Sequence, residues 1–239
     1  MSMPPLTGTT VTLSPGRTFT VDMEIDHPTP SEQKLKAEDL FKAAETGDSL
    51  AFKSLSVKQL AEAFSLRNED VRSLLHVAVS SGRSEVVKLL IDADESTSVI
   101  NSTDEDGWAP LHSAASIGNS EIVELLLSKG ADSLISHGAK VNLKDKVGCT
   151  PLHRAASTAK SQLCELLIEE GAEVDAIDRA GQTPLMGAVI CDNKEVCLLL
   201  IRHGADVDVE DKEGYTVLGR ASKEFRPLLI DAAKAMIEG

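Results

Sequence analysis

Three histidines recur at one position of a repeated pattern, and histidine is a residue that can transfer protons near neutral pH or bind zinc. His76, His112 and His153 each stand fourth in a segment of the Ser-Leu-Leu-His or Thr-Pro-Leu-His type. No H-E-x-x-H motif, G-x-S-x-G motif or glycine-rich phosphate loop accompanies them. We therefore expect these imidazoles to have a structural role near the start of a helix, and we expect no catalytic residue.

The cysteines follow neither a metal-binding nor a disulfide pattern. Cys191 and Cys197 lie six residues apart without a histidine at zinc-site spacing, and Cys149 and Cys164 are more widely separated. All four lie in periodic apolar segments, which predicts buried thiols in a reducing compartment. We expect no metal and no cofactor, and a location in the cytoplasm and nucleus.

Composition limits the classes of partner. The chain has 239 residues, with 24 Lys or Arg against 38 Asp or Glu and a net charge of −14. This balance argues against nucleic acid or an anionic membrane as the main partner, since both favour clustered positive charge. No apolar run reaches the roughly 20 residues that span a bilayer. Hydrophobic residues make up 42% and aromatic residues only 3%, which predicts a folded chain without one large core.

Internal repetition indicates how such a chain folds. An alanine recurs at matching points of similar segments, with spacings of 35, 36, 41, 33 and 33 residues. These alanines are Ala43, Ala78, Ala114, Ala155, Ala188 and Ala221. Repeats of this length are small units that bury their apolar surface only by stacking on their neighbours. Leu, Val and Ala suffice between thin layers, which explains the low aromatic content.

Each unit is predicted to contain two short helices and a hairpin finger. Thr150 and Thr183, each followed by proline, suit the start of the first helix. A glycine four residues after the repeated alanine suits its end in the first three units. The second helix is predicted to begin behind a capping serine hydroxyl, at Ser84, Ser120 and Ser161. An extended segment and a turn containing glycine then lead to the next unit as a β-hairpin finger.

Three departures from the pattern stand out. Val71 occupies the finger position held by glycine in later units, and a β-branched residue at positive φ is strained. We therefore expect strain at Val71 and a first finger that is either frayed or reshaped. Met186 and Gly219 replace the repeated histidine, which predicts a weaker hydrogen-bond network in the last two units. The final unit carries a different second helix, typical of a terminal cap.

The domain organisation has two parts. Residues 1–33 are rich in Ser, Thr and Pro and lack the apolar core of a secretory signal, which predicts a disordered N-terminal tail. Residues 34–239 form about six repeats, with an irregular junction near residues 128–142 where the spacing reaches 41. A second Gly-Ala pair at Gly138-Ala139 makes this junction either the remnant of a lost repeat or a loop insertion.

The period of 33 residues and the Thr-Pro-Leu-His segments resemble ankyrin repeats. The resemblance implies an all-α solenoid of helix-turn-helix layers, with the fingers and the ends of the first helices lining a concave face that binds another protein. Mapped by the repeat, we expect this face to include Glu69, Asp70, Arg72, Glu105, Asp106, Trp108, Ile117, Lys146, Arg154, Arg179, Lys212 and Tyr215. The early fingers are acidic and the middle ones basic, a pattern that would orient a partner of opposite charge pattern.

A narrower resemblance involves three stretches of the chain. The run from Lys36 through Asp70, the segment from Trp108 to Ala115 and the last five residues resemble the gankyrin-like proteins, particularly those of plants, which usually carry seven repeats. That resemblance implies a monomeric, non-enzymatic chaperone that assembles the proteasome regulatory particle by binding the C-terminal domain of one ATPase subunit. A general ankyrin adapter in signalling or transcription is the alternative.

Overall fold

A computed structural model describes residues 36–94, 98–128 and 139–238 of the chain. These residues form thirteen helices and no strand. The helices are α1 (Ala37–Thr46), α2 (Ser49–Lys53), α3 (Val57–Ala63), α4 (Leu74–Ser80), α5 (Ser84–Ala93), α6 (Pro110–Ile117), α7 (Ser120–Ser128), α8 (Pro151–Ser157), α9 (Ser161–Glu169), α10 (Pro184–Ile190), α11 (Lys194–Arg202), α12 (Val217–Arg220) and α13 (Arg226–Glu238).

The helices stack in two rows, which confirms the solenoid predicted from the repeats. The first helices of successive layers, α1, α4, α6, α8, α10 and α12, pack one against the next. Among the second helices α2 packs on α5, α5 on α7, α9 on α11 and α11 on α13. The repeated alanines Ala78, Ala114, Ala155 and Ala188 are fully buried. A methyl group at these positions lets neighbouring helices approach closely, so thin layers can pack at the density of a protein interior.

The starts of the first helices follow the sequence prediction, and those of the second helices do not. The Thr183 hydroxyl accepts a hydrogen bond from the Met186 N–H at 3.3 Å, as a cap should. The second helices begin at the serines themselves, so a capping role for these serines was wrong. Ser84 and Ser161 instead donate to a glutamate on another second helix, Glu121 at 2.8 Å and Glu195 at 2.6 Å respectively. In α7 the cap is the preceding residue, Asn119, whose Oδ1 accepts from the Ile122 N–H.

The fingers are tight turns and not the β-hairpins predicted from the sequence. In the second finger the Asp104 N–H donates to the Trp108 carbonyl, and Asp104 Oδ1 accepts from the N–H groups of Asp106 and Trp108. Asn68, Asp145, Asp178 and Asp211 close the other four fingers in the same way. A side-chain oxygen that satisfies two backbone donors makes a five-residue turn complete by itself, so no strand is needed.

One backbone hydrogen bond joins each described finger to the next. The donors and acceptors are Glu105 N–H to Asp70 O, Lys146 N–H to Asp106 O, Arg179 N–H to Val147 O and Lys212 N–H to Ala180 O, at 2.9 to 3.1 Å. The fingers therefore form a continuous row at a fixed spacing.

The first finger is strained but keeps its shape. Val71 has φ +62°, in the region that favours glycine, which confirms the expected strain. The Asn68 N–H still donates to the Arg72 carbonyl at 3.1 Å, so the expectation of a frayed or reshaped finger was wrong.

The predicted tail and most of the irregular junction lie outside the described residues, and both stay predictions. On the far side of the junction, the Ala139 N–H donates to the Leu126 carbonyl at 2.9 Å. Ala172 and Ala205 make the corresponding bonds to Leu167 and Leu200. Ala139 of the second Gly-Ala pair thus takes the place that closes a second helix in the following layers.

The last layer differs from the others, as its sequence indicated. Its first helix, α12, has only four residues, and its second helix, α13, has thirteen. Phe225 and Leu229 are fully buried beneath this end of the stack.

The repeated histidines connect the layers, which confirms a structural role. Nδ1 of His76, His112 and His153 accepts from a backbone N–H three residues earlier, at 3.1 to 3.2 Å. Nε2 donates to a carbonyl of the next finger, at Trp108, Cys149 and Gln182 respectively. Burial lowers the pKa of His76 to about 4 and also lowers the pKa of the other two imidazoles. A proton added at Nδ1 would face an N–H donor, so only the neutral ring fits.

We predict that the stack loses stability between pH 6.5 and pH 4. In this window the unfolded state takes up a proton at His76 while the folded state does not, so the free energy of unfolding falls as pH falls. A pKa lowered from 6.5 to about 4 corresponds to roughly 3 kcal/mol. Urea unfolding at several pH values measures this. His76→Met copies Met186 of the fifth layer and should flatten the profile in this window. If the free energy of unfolding of the variant falls equally steeply with pH, His76 is not the cause of the loss of stability.

Candidate functional site

The five fingers and the exposed ends of the first helices share one edge of the stack, which we call the finger face. Its fingers are finger 1 (residues 68–72), finger 2 (104–108), finger 3 (145–149), finger 4 (178–182) and finger 5 (211–215). Backbone groups in the fingers are used for the turns and for the bonds between them. The side chains at the tips are therefore free to differ without disturbing the stack.

An open cavity of about 520 Å³ lies between fingers 1 and 2 and the helices α4 and α6. It brings together six of the residues predicted from the sequence, namely Asp70, Arg72, Glu105, Asp106, Trp108 and Ile117. A second opening, on the side of α1, is lined by Glu69 and again by Arg72. Arg72 therefore forms the wall between the two openings.

The cavity is strongly negative. Asp70, Asp104, Glu105 and Asp106 contribute four carboxylates to its lining, and Arg72 is the one cation there. The Arg72 guanidinium is turned inward, because Nη2 donates to the His76 carbonyl at 3.2 Å. Trp108 and Ile117 add apolar surface to the lining. This arrangement favours a cationic group with an aliphatic stem over an anion.

Arg154 is engaged within the chain and does not offer a free charge at the face. Its guanidinium forms an ion pair with the fully buried carboxylate of Asp145 and lies 4.5 Å from the centre of the Trp108 ring. The contact with Trp108 is a cation–π interaction between the fourth layer and finger 2. Arg154 thus holds the tryptophan in place, and its half-buried side chain is a positioning residue.

The partner of Arg154 could have been found from its spacing. Asp145 and Arg154 are nine residues apart, and the same spacing separates Asp211 from Arg220. Arg220 Nε donates to Asp211 Oδ2 at 2.7 Å, and its guanidinium lies 4.5 Å from the Tyr215 ring centre. Both aspartates are buried, whereas Asp104 and Asp178, without an arginine at this spacing, are half-buried.

The remaining basic residues predicted for the face are available at its surface. Lys146, Arg179 and Lys212 are exposed, and their side chains make no ion pair with any described residue. Lys144 donates to the Ile177 carbonyl at 2.7 Å and is therefore tethered. The face is acidic at fingers 1 and 2 and carries its free positive charge at fingers 3 to 5.

Exposed aliphatic side chains also lie on this face. Val71 and Val147 stand at the tips of fingers 1 and 3, and Ile117 and Ile190 end the helices α6 and α10. Ile117 was expected as a site residue, whereas Val71 and Val147 were not. A single exposed valine in a turn gives no periodic signal, so Val147 was missed.

The cysteines are only partly as predicted. Cys164 and Cys197 are buried, and burial raises the pKa of each to about 12. Burial also raises the pKa of the half-buried Cys149 to about 11, so these three thiols stay protonated. Cys191 is exposed, which makes its expected burial wrong. It follows the last residue of α10, where the helix ends at the surface.

Comparison with known families identifies the repeat. A family model described as ankyrin repeats matches residues 40–134 and 131–211, in three copies. No curated protein matches the chain. Within the described ranges, no group of three or more His, Cys, Asp or Glu side chains could hold a metal ion. No helix in the described part of the chain is long and apolar enough to cross a membrane.

We predict that Arg154→Val lowers the free energy of unfolding by about 3 kcal/mol, because it leaves the buried Asp145 carboxylate without its cation. Valine is the natural residue at this position in the second layer, as Val77, where the finger begins with the neutral Asn68. Adding Asp145→Asn to Arg154→Val should therefore restore most of the lost stability, since Oδ1 of the asparagine can still close the turn. Urea unfolding compares the three chains. A double variant as unstable as Arg154→Val would show that the unpaired carboxylate is not the cause.

Proposed function

The chain belongs to the ankyrin-repeat family, and we propose that it is an assembly chaperone that binds the C-terminal domain of one proteasomal ATPase subunit through the finger face. Ankyrin repeats form protein–protein interaction modules, so a protein partner follows from the family itself. The narrower assignment rests on the resemblance of residues 36–70, 108–115 and 235–239 to gankyrin-like proteins and on the charges of the face.

The observation that carries the proposal is the two-part charge of the finger face. Four carboxylates surround the cavity between fingers 1 and 2, while Lys146, Arg179 and Lys212 stand free on the later fingers. A partner with a basic patch followed by an acidic patch would bind in one orientation and be steered there before contact. Trp108, held by Arg154, supplies an aromatic anchor at the cavity wall.

This function requires no chemistry from the chain. We propose that the protein is not an enzyme, that it acts as a monomer and that it works in the cytoplasm and nucleus. The raised pKa values of Cys149, Cys164 and Cys197 leave little thiolate, and the repeated histidines are committed to hydrogen bonds between layers. The free cysteines suit a reducing compartment.

A general ankyrin adapter in signalling or transcription is the second candidate. It is favoured by the length of the stack, because the described helices make six layers where gankyrin-like proteins usually have seven. A shorter face would suit a smaller partner.

Affinity purification of the tagged chain from cell extract distinguishes the two candidates. As an assembly chaperone, the chain should capture one proteasomal ATPase subunit and be absent from completed proteasomes. Capture of kinases or transcription regulators, with proteasome assembly unchanged when the protein is removed, would instead support the adapter.

We predict that charge reversal at the finger face weakens partner binding. Glu105→Lys together with Asp106→Lys should lower affinity about 10-fold or more at low salt, and the difference should shrink as salt screens the charges. The matched control is Glu124→Lys with Glu165→Lys, which makes the same change in net charge at exposed positions of α7 and α9. Calorimetry with the captured partner measures both. Equal affinities for the two double variants would argue against binding at the finger face.

A further inference from the structure

Finger 1 has valine at the position where the other four fingers have glycine. Gly107, Gly148, Gly181 and Gly214 have φ between +78° and +85°, and Val71 has φ +62°. A β-branched residue in this region is a true outlier and is strained.

The same position is crowded by the neighbouring finger. A Cβ placed on Gly107 or Gly148 would lie 2.8 Å from a backbone nitrogen of the next finger, and one on Gly181 would lie 3.0 Å from it. Finger 1 also lies against a neighbouring finger, because the Glu105 N–H of finger 2 donates to the Asp70 carbonyl. The valine therefore occupies a site that four equivalent turns leave without a side chain.

Packing within the chain does not account for this valine. Its side chain is 47% exposed and does not belong to the buried core. The four other turns keep the same closing bond without a side chain here. Backbone strain that folding does not require is often found where a side chain serves a binding site.

The surroundings of Val71 show what it would contact. It lies between Asp70 and Arg72, which both line the cavity of four carboxylates. Ile117, 45% exposed, lines the same cavity. Val71 itself is not a lining residue, so it stands at the border of this negative recess, next in the chain to two residues that line it.

We propose that Val71 is a specificity-determining contact of the finger face, which selects a partner segment with an aliphatic residue beside a lysine or arginine. The basic side chain enters the cavity, and the aliphatic side chain packs against Val71. This inference rests on the proposed protein-binding function of the face, but it does not depend on the partner being a proteasomal ATPase subunit.

Selection of displayed random peptides on the full chain and on its Val71→Gly variant tests the proposal. The wild-type chain should select a basic residue next to Leu, Ile, Val or Met, and the variant should select the basic residue without that neighbour. A selected peptide should bind the variant roughly 5- to 10-fold more weakly, as expected for losing the burial of one valine side chain. Val57→Ala, at an 88% exposed valine in α3, should leave its affinity unchanged.

Thermal unfolding supplies the second measurement. Relief of strain should raise the melting temperature of Val71→Gly by about 2–4 °C. A lower melting temperature would mean that the valine supports folding, and it would overturn the proposal. The same peptide preference in both chains, or no selected peptide at all, would also overturn it. If the peptides behave as expected but no proteasomal ATPase domain binds the wild-type chain, the narrower proposed function fails and the role of Val71 stands.

Discussion

Every layer of this protein depends on hydrogen bonds that its neighbour completes. The imidazole of His76 is satisfied only because a carbonyl of finger 2 lies 2.9 Å away, and His112 and His153 rely on the next fingers in the same way. A buried polar group left without a partner costs roughly 1–3 kcal/mol. Layers that slid or rotated against each other would lose these bonds, so the stack has one register. Since each layer buries little apolar surface of its own, stability arises at the interfaces between layers.

The same bonds build the finger face. Backbone hydrogen bonds fix the spacing of the fingers, and the side chains of Asn68 and of four aspartates close the turns, which leaves most side chains at the tips without a folding role. Those side chains then carry the charges and aliphatic groups that a partner can recognise. Two residues at the tips differ from the others in how the chain holds them. Trp108 is held by Arg154 from the next layer, and Val71 is held in a strained conformation by a turn that would close as well with glycine.

Much of the fold could be predicted because it repeats. Alanine spacing, threonine caps and glycines at positive φ are signals that accumulate over six units, and the structure confirms the layers, the first helices and the strain at Val71. The serine caps and the β-hairpins were wrong for a local reason. One residue of shift at a helix start turns a cap into a contact between layers, and an aspartate side chain replaces the strand pairing that the extended segments suggested. The site was harder to predict. A repeat pattern places residues on the face, but it does not show which charged side chains form ion pairs within the chain. Arg154, for example, is paired with Asp145 and is not available to a partner.

Side-chain footprinting with hydroxyl radicals, in the presence and absence of a bound partner protein, tests the finger face most directly. If this face is the binding surface, Val71, Ile117 and Val147 should become protected on binding, while the more exposed Leu50 and Val57 in α2 and α3 stay reactive. Protection of Leu50 and Val57 with unchanged reactivity at the three face residues would contradict the account.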